Sequence, residues 1–296
     1  MGFESCHPAV NFIFFAAVLY GSAAFDHPVF IGIAYAAAFL YSLKRRGVRA
    51  VFSNLFLLVL CGLFVLYYAA SHHFGETVLR ENFIGNNITV ESLVYGLSLG
   101  LRFSTFCMWC ECLFSVVSSD KVVYLFGKIS PHLSLFLAVL LRMCPRLKRE
   151  AGRINLAQKG IGRGTDQGFI FKRMLNGLRI FSVLITWMIE ALALEADSMK
   201  SRGNNLRGRT AFSIYRFDNR DRTFVVTLFC GLILTVMGVI LGETTLFYSP
   251  RIIWKPLSML SALTAGGYAF LCLLPLGLEL LTLYRFKRAL AKSSIA

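Results

Sequence analysis

The chain alternates between long apolar runs and short polar breaks. Two uncharged runs, Ala9 to Phe25 and Val29 to Leu43, are separated by Asp26-His27-Pro28. A third run, Ala50 to Ser71, has 22 residues without a charge. Because a helix rises 1.5 Å per residue and a bilayer core is about 30 Å thick, these runs predict membrane-spanning helices, of which the first two are slightly short.

A fourth apolar run, Val90 to Val117, carries charged side chains within it. Glu91 and Arg102 fall on one helical face at steps of three and four, and Glu111 follows. An arginine near the middle of a span is costly unless it faces protein or water, so Arg102 is a candidate functional residue. The alternative is a structural role, in which Arg102 braces a neighbouring carbonyl or Glu111.

Small residues in the fourth run indicate close helix packing. Gly96 and Gly100 are four residues apart, a spacing at which two helices can approach closely.

Thr223 to Gly242 and Leu257 to Leu278 complete the series of apolar runs. The chain is thus predicted to form an all-α polytopic membrane bundle of about six spans, in three segments: residues 1–120, 121–222 and 223–296.

The middle segment predicts two long cationic helices. One begins at Ser130-Pro131, a helix-starting pair, and stops at the glycines Gly160, Gly162 and Gly164. The other runs from about Lys172 to Lys200 and ends at Ser201-Arg202-Gly203. Its apolar part, Ile180 to Leu194, contains Glu190 and is predicted to be too short to cross the membrane, so the helix is expected at the interface or against the bundle.

Composition and charge support a membrane protein with a defined orientation. Hydrophobic residues make up 56% of the 296 residues, and the net charge is +15. Residues 142–222 hold 17 Lys/Arg against 7 Asp/Glu. With six spans, 27 Lys/Arg fall on one side, three on the other and Arg102 within the membrane. The positive-inside rule then predicts that both termini are cytoplasmic.

The sequence lacks the motifs of ATP hydrolysis and of zinc proteases. Neither the GxxxxGK[ST] phosphate loop nor HExxH is present, so no hydrolysis of ATP and no other enzyme activity is predicted. Cys107, Cys110 and Cys112 cluster, but three ligands on one helix cannot surround a tetrahedral metal, and no second CxxC is present. No metal and no cofactor are therefore expected.

Five stretches carry a resemblance to a known family. They are HPAVNFIFF and FDHP near the N-terminus, TVESLVYGLSLGLRF (Thr89 to Phe103), LLRMCPRLKREAGRINLAQKG (Leu140 to Gly160) and EALALEADSMKSRG (Glu190 to Gly203). In these stretches the chain resembles the transmembrane T component of energy-coupling factor (ECF) transporters. These are ABC-type importers of vitamins and transition-metal ions in prokaryotic cell membranes.

The resemblance implies a non-catalytic coupling subunit. In that family two coupling helices each end in a small-Arg-small signature that docks on a cytoplasmic ATPase subunit, and a membrane-embedded S subunit binds the substrate. The second signature corresponds to Ser201-Arg202-Gly203 and the first to Gly162-Arg163-Gly164. Arg163 comes later after Ala157-Gln158 than in the family, so either two residues are inserted or Lys159 takes part of the role.

Two alternatives come from other functional classes. A self-sufficient secondary transporter would use Glu91, Arg102 and Glu111 along a path, but broken helices at corresponding positions of two halves are not apparent. A membrane-anchored module would hold anionic lipid or nucleic acid with the basic segment. Aromatic residues and lysine runs are not interleaved there as nucleic-acid binding favours, so no nucleic-acid partner is expected.

Overall fold

The computed structural model describes residues 3–72, 74–81, 87–203, 215, 217–248, 252 and 258–293. A short 3-10 turn at Phe3–Ser5 precedes the first helix. The elements that follow in the described residues are α1 (Pro8–Ala24), α2 (Pro28–Arg46), α3 (Val48–Ser71), β1 (Val78–Glu81), β2 (Asn87–Thr89), α4 (Val90–Val116), α5 (Ser119–Ile129), α6 (Pro131–Gly160), α7 (Ile170–Ser201), α8 (Asn219–Ile240) and α9 (Met259–Ser293). The two strands pair antiparallel as a hairpin.

The architecture is an all-α membrane bundle, as the apolar runs predict. Among the described residues, five helices are long and apolar enough to cross a bilayer, namely α3, α4, α7, α8 and α9. α1 is apolar but has only 17 residues. α7 has 32 residues and an 18-residue window of mean hydropathy 1.7, so the prediction that its apolar part is too short for a span is wrong. Glu190, the single acidic residue of the predicted apolar part, does not lower the mean hydropathy enough to exclude a span.

Two compact units divide the chain. Met1–Ser118 and Tyr215–Ala296 form unit 1, and Ser119–Ile214 forms unit 2. The first and third of the predicted segments therefore fold together, because the helices that follow the basic segment pack against those that precede it. In unit 1, α9 contacts α2 and α8 contacts α1.

Two helices of unit 1 begin at a His-Pro pair. The Nδ1 atoms of His7 and His27 accept hydrogen bonds from the backbone N–H groups of Ala9 and Val29, each at 3.3 Å. Each proline takes the first helical turn, where its missing N–H costs nothing. Burial lowers the pKa of His27, which favours the neutral imidazole that this acceptor role requires.

The core of unit 1 surrounds the indole of Trp109 on α4. Trp109 is fully buried, and its ring stacks on Tyr41 of α2 at a centroid distance of 5.9 Å. Phe14 and Phe15 of α1 meet it edge-on at 6.0 and 6.3 Å. Aromatic pairs of this kind contribute about 0.5–1.5 kcal/mol each beyond the buried area. One side chain thus joins three helices.

Glycines allow the closest helix contacts in unit 1, as the sequence predicts for the fourth run. A Cβ placed on Gly100 would lie 2.7 Å from Sγ of Cys61 on α3, and one on Gly96 would lie 3.3 Å from the Tyr68 side chain. The prediction from the small-residue spacing is confirmed. Gly238 of α8 approaches Thr264 of α9 in the same manner.

Unit 2 consists of α5, α6 and α7. Ser130 caps α6 through a hydrogen bond from the Leu133 N–H, as predicted, and α6 continues through Pro145 to Gly160 without an interruption. α5 packs on α6, and α6 contacts α7. Only 6% of the apolar window of α7 is buried. Most of its apolar surface is therefore open within unit 2.

Candidate functional site

Arg102 of α4 binds the turn between α1 and α2. Its guanidinium forms an ion pair with the Asp26 carboxylate and donates a hydrogen bond to the Ala23 carbonyl. Bracing of a neighbouring carbonyl, one of the two predicted roles, is confirmed. Asp26 was not foreseen as the partner, although it is the acidic residue that interrupts the first two apolar runs.

The contacts of Arg102 also set its level in the bundle. α4 has 27 residues and α1 has 17, so about ten residues of α4 extend past the turn at which α1 ends. Counting along α4 alone places Arg102 near mid-depth, whereas its contacts place it at the end of α1. The side chain of Arg102 keeps 22% of its surface exposed.

Further hydrogen bonds hold the same turn. The backbone N–H groups of Asp26 and His27 both donate to the Thr244 carbonyl at 3.1 Å. The Tyr248 hydroxyl donates to the Asp26 carbonyl at 2.7 Å. The residues after α8 and the middle of α4 thus meet at Asp26, which indicates a structural clamp.

Glu91 serves the N-terminal end of α4. Its carboxylate accepts a hydrogen bond of 2.6 Å from the Thr77 hydroxyl and one of 3.4 Å from the Thr77 N–H. The side chain is buried, and Gly75, with φ +113°, lies so close that a Cβ there would stand 2.5 Å from the Glu91 Oε2. Glu91 therefore anchors the entry to the β1–β2 hairpin on α4.

Glu111 serves the opposite end of α4. It accepts a hydrogen bond from the Arg46 guanidinium of α2 and one of 2.7 Å from the Ser53 hydroxyl of α3. Glu91, Arg102 and Glu111 are spaced along 21 residues of α4, about 30 Å, and each binds a different element. The structure does not bring the three candidate residues together.

The C-terminal end of α7 presents Arg202. Its backbone N–H donates to the Ser198 carbonyl, and the Gly203 N–H donates to the Lys200 carbonyl at 3.0 Å. Gly203 has φ +76°, the left-handed conformation that ends many helices. The Ser201 hydroxyl donates back to the Ser198 carbonyl at 2.9 Å. Arg202 is exposed, and its guanidinium has no partner among the described residues.

The C-terminal end of α6 presents Arg163 in a similar way. The Gly162 and Arg163 N–H groups donate to the Lys159 and Gln158 carbonyls at 3.1 and 2.9 Å. Gly162 has φ +74°, and Arg163 is exposed. Both helices therefore end with a glycine of nearly equal backbone conformation.

The two arginines differ in their position relative to that glycine. Arg202 precedes Gly203, whereas Arg163 follows Gly162. Relative to the end of the helix, Arg163 therefore lies two residues further along the chain. The two-residue insertion relative to the family stays a prediction.

Lys159, the other candidate in the first signature, is engaged within the loop. Its ammonium pairs with the Asp166 carboxylate and holds the pKa of Asp166 below its ordinary value. The aliphatic part of Lys159 packs against Gly164, where there is no room for a Cβ. Lys159 thus shapes the loop, while the Arg163 side chain forms no ion pair or hydrogen bond with the described residues.

Side-chain amides that the sequence analysis did not single out support the same loop. The Gly164 carbonyl accepts from Asn176 Nδ2 at 3.1 Å, and the Gly164 N–H donates to Gln167 Oε1 at 3.1 Å. Asn155 Oδ1 accepts from both the N–H and the hydroxyl of Thr165 at 3.1 Å. Asn155 and Asn176 are polar residues inside cationic helices, which is the signal that could have pointed to them. Their partners lie ten and 12 residues away along the chain.

The described residues contain no cluster of three or more His, Cys, Asp or Glu that could hold a metal ion. Comparison with models of known protein families, and with curated protein sequences, finds no match to this chain. The resemblance to ECF T components therefore stays a prediction.

Proposed function

We propose that this chain is the transmembrane coupling subunit of an ECF-type ABC importer for a vitamin or a transition-metal ion. The observation that carries the proposal is the pair of helix ends at Gly162 and Gly203. Each presents an exposed arginine, Arg163 or Arg202, on a well-defined helix terminus. Arginine suits such a position because its planar fork binds carboxylates and carbonyls and keeps its charge.

In this proposal α6 and α7 transmit force. They have 30 and 32 residues, which corresponds to lengths of about 45 and 48 Å. Two cytoplasmic ATPase subunits bind the two arginine ends. The exposed apolar side chains of α7 receive a membrane-embedded S subunit, and closure of the ATPases on ATP moves that subunit through the helices. The chain itself performs no catalysis.

The proposed topology has six spans, namely α1 to α4, α8 and α9, with both termini in the cytoplasm of a prokaryotic cell. α7 is long enough to cross, but its crossing would leave either Lys172 and Arg173 or Lys200 and Arg202 on the external side. The positive-inside bias disfavours both arrangements. α7 is therefore assigned to the cytoplasmic membrane interface.

Copurification tests the proposal. The tagged chain is purified from its native membrane, and the retained proteins are identified by mass spectrometry; ATP-binding cassette subunits are expected. Arg202→Ala should weaken their retention, and the double variant with Arg163→Ala should abolish uptake. A truncated, desolvated charge pair costs about 2–5 kcal/mol, so the loss of affinity should exceed tenfold.

Arg179→Ala is the matched control, because Arg179 is exposed in the first half of α7 and has no partner among the described residues. It should leave the complex intact. Lys159→Ala should act only through the loop and weaken assembly less than Arg163→Ala. Retention of ATPases at the parental level by the double variant would show that the coupling role is wrong.

The secondary-transporter alternative gains no specific support from the geometry. Glu91, Arg102 and Glu111 each form their own hydrogen bonds with a separate element. Groups that pass an ion along a path must lie within reach of one another or of shared water. These three mark the two ends and the middle of α4 instead.

A further inference from the structure

A cleft between α6 and α7 combines charge with apolar surface. Its volume is about 610 Å³, and it lies entirely within unit 2. Its charged and aromatic lining comprises Arg142, Arg146, Arg149, Trp187, Glu190 and Glu195. None of these residues belongs to either helix end, so the cleft is separate from the proposed docking arginines.

One side of the cleft is an arginine row on α6. Arg142, Arg146 and Arg149 follow at steps of four and three, which places them on one helical face. The Arg142 guanidinium pairs with Glu195 of α7. The Arg146 guanidinium stands over the Trp187 ring, 5.1 Å from its centroid. Arg149 has neither an ion pair nor a hydrogen bond within the described part of the chain.

The charges of the cleft leave one positive excess. Three arginines face two carboxylates, Glu190 and Glu195, and Glu195 is already paired. A cation over an aromatic face keeps its N–H groups available at the rim of the ring. Arg146 and Arg149 can therefore both donate hydrogen bonds to an anion, and a phosphate matches the guanidinium fork.

The other side of the cleft is apolar and continues onto an open surface. Met143 and Ala191 are buried at its floor, and Leu194 is 66% exposed at its edge. On the same face of α7, one turn from Trp187, Val183 is 44% exposed. A free anion makes no use of such a surface, whereas an acyl chain does.

We propose that this cleft binds the phosphate headgroup of an anionic phospholipid. Arg146 and Arg149 hold the phosphate, Trp187 lies at the level of the headgroups, and an acyl chain runs from Leu194 along α7. Arginine and tryptophan are typical side chains of the membrane interface, where the polar end is hydrated and the stem is buried. The site uses other residues than the proposed docking ends, but it rests on the proposed placement of α7 at the membrane interface.

Lipid titration of the purified full chain tests the site. The protein is placed in nanodiscs of phosphatidylcholine, phosphatidylglycerol is added, and bound lipid is counted by native mass spectrometry after release. We expect a saturable phosphatidylglycerol site. Each arginine near an anionic lipid contributes about fivefold in affinity, so Arg146→Gln with Arg149→Gln should weaken it by about 30-fold.

Two further variants separate the site from general attraction to a charged membrane. Lys172→Gln with Arg179→Gln removes the same number of charges from α7 outside the cleft and should change the affinity less than threefold. Glu190→Gln removes a repulsive carboxylate from the cleft and should tighten binding severalfold. This gain cannot arise from misfolding.

Three results would overturn the proposal. One is phosphatidylglycerol affinity in the double arginine variant equal to that of the parent chain. Another is unchanged or weaker binding in Glu190→Gln. The last is displacement of the lipid by inorganic phosphate at equal concentration, which would show that the cleft recognises a free anion.

Discussion

Arg102 of α4 and Asp26 of the α1–α2 turn, 76 residues apart in the chain, form an ion pair. The same guanidinium donates a hydrogen bond to the Ala23 carbonyl. One side chain therefore neutralises the Asp26 carboxylate and supplies a donor to a carbonyl at the end of α1. This pair joins α4 to the first two helices at the level where α1 ends and α2 begins. It explains a charged residue in the middle of an apolar helix without a transport role.

Removal of this pair should destabilise unit 1. Arg102→Ala leaves Asp26 and the Ala23 carbonyl without their donor, and hydrogen bonds to charged groups contribute about 1.5–3 kcal/mol. We expect a loss of that order in the free energy of unfolding, measured by chemical denaturation in detergent. In a double-mutant cycle with Asp26→Ala, the two losses should not add.

Arg222→Ala is the control for this experiment. Arg222 is exposed in the first turn of α8, and its side chain has no partner in the described part of the chain. The variant should unfold within about 0.5 kcal/mol of the parent. Equal effects of Arg102→Ala and Arg222→Ala would contradict the clamp.

Substitution of Gly100 by alanine should destabilise the contact between α3 and α4. A Cβ at this position meets Sγ of Cys61 at 2.7 Å, so Gly100→Ala must push α3 away from α4. We expect a loss of about 1–3 kcal/mol, the usual cost of overpacking. Cys61→Ala in the same chain should restore most of it, because the substitution removes the sulfur.

Gly62 provides the comparison for Gly100. It lies in α3, and a Cβ there would meet nothing within 4 Å. Gly62→Ala should therefore stabilise α3 by up to about 1 kcal/mol through helix propensity alone. Equal thermal shifts for the two glycine variants would show that α3 and α4 do not approach as closely as described.

Gly162 should require its left-handed conformation. It has φ +74° with open space around it, so the cost of Gly162→Ala arises from the backbone alone and amounts to about 1–2 kcal/mol. Gly152, inside α6, also faces open space, and its substitution by alanine should favour the helix. Hydrogen exchange at the end of α6 should accelerate only in Gly162→Ala.

The loop after α6 should lose order in acid. Lys159 lowers the pKa of Asp166 from its ordinary value of 3.8, so the carboxylate stabilises the loop above that pH. As the pH falls through the lowered pKa, the proton neutralises Asp166 and the contribution is lost. Amide exchange of Thr165, corrected for its intrinsic rate, should be constant between pH 5 and 8 and increase below about 3.8.

Asp166→Asn serves as the reference for the acid experiment. It should show fast exchange of the Thr165 amide at every pH, because Lys159 has lost its partner. If the parent chain and this variant show the same pH profile, the ion pair does not order the loop.

The proposed orientation can be tested by labelling single cysteines in a chain that lacks its eight native ones. Lys172→Cys, near the start of α7, should react only after the membrane is made permeable. Ser71→Cys, at the end of α3, should react from outside the cell. Reaction of Lys172→Cys with an impermeant reagent in intact cells would reverse the topology.

Residue order alone determined the helical character and most helix boundaries. Apolar runs too long for strands, prolines in first turns and glycines at helix ends all act locally, within about four residues. For this reason the ends at Gly162 and Gly203 and the start at Ser130 were predictable.

Only the tertiary structure decided which distant groups meet. The partner of Arg102 could not be identified by periodicity along α4, because Asp26 belongs to a turn whose level depends on the unequal lengths of α1 and α4. The contact between Lys159 and Asp166 is made by a folded loop and could not be identified from residue order. Such contacts depend on how whole helices are placed against one another, and a local pattern carries no information about that placement.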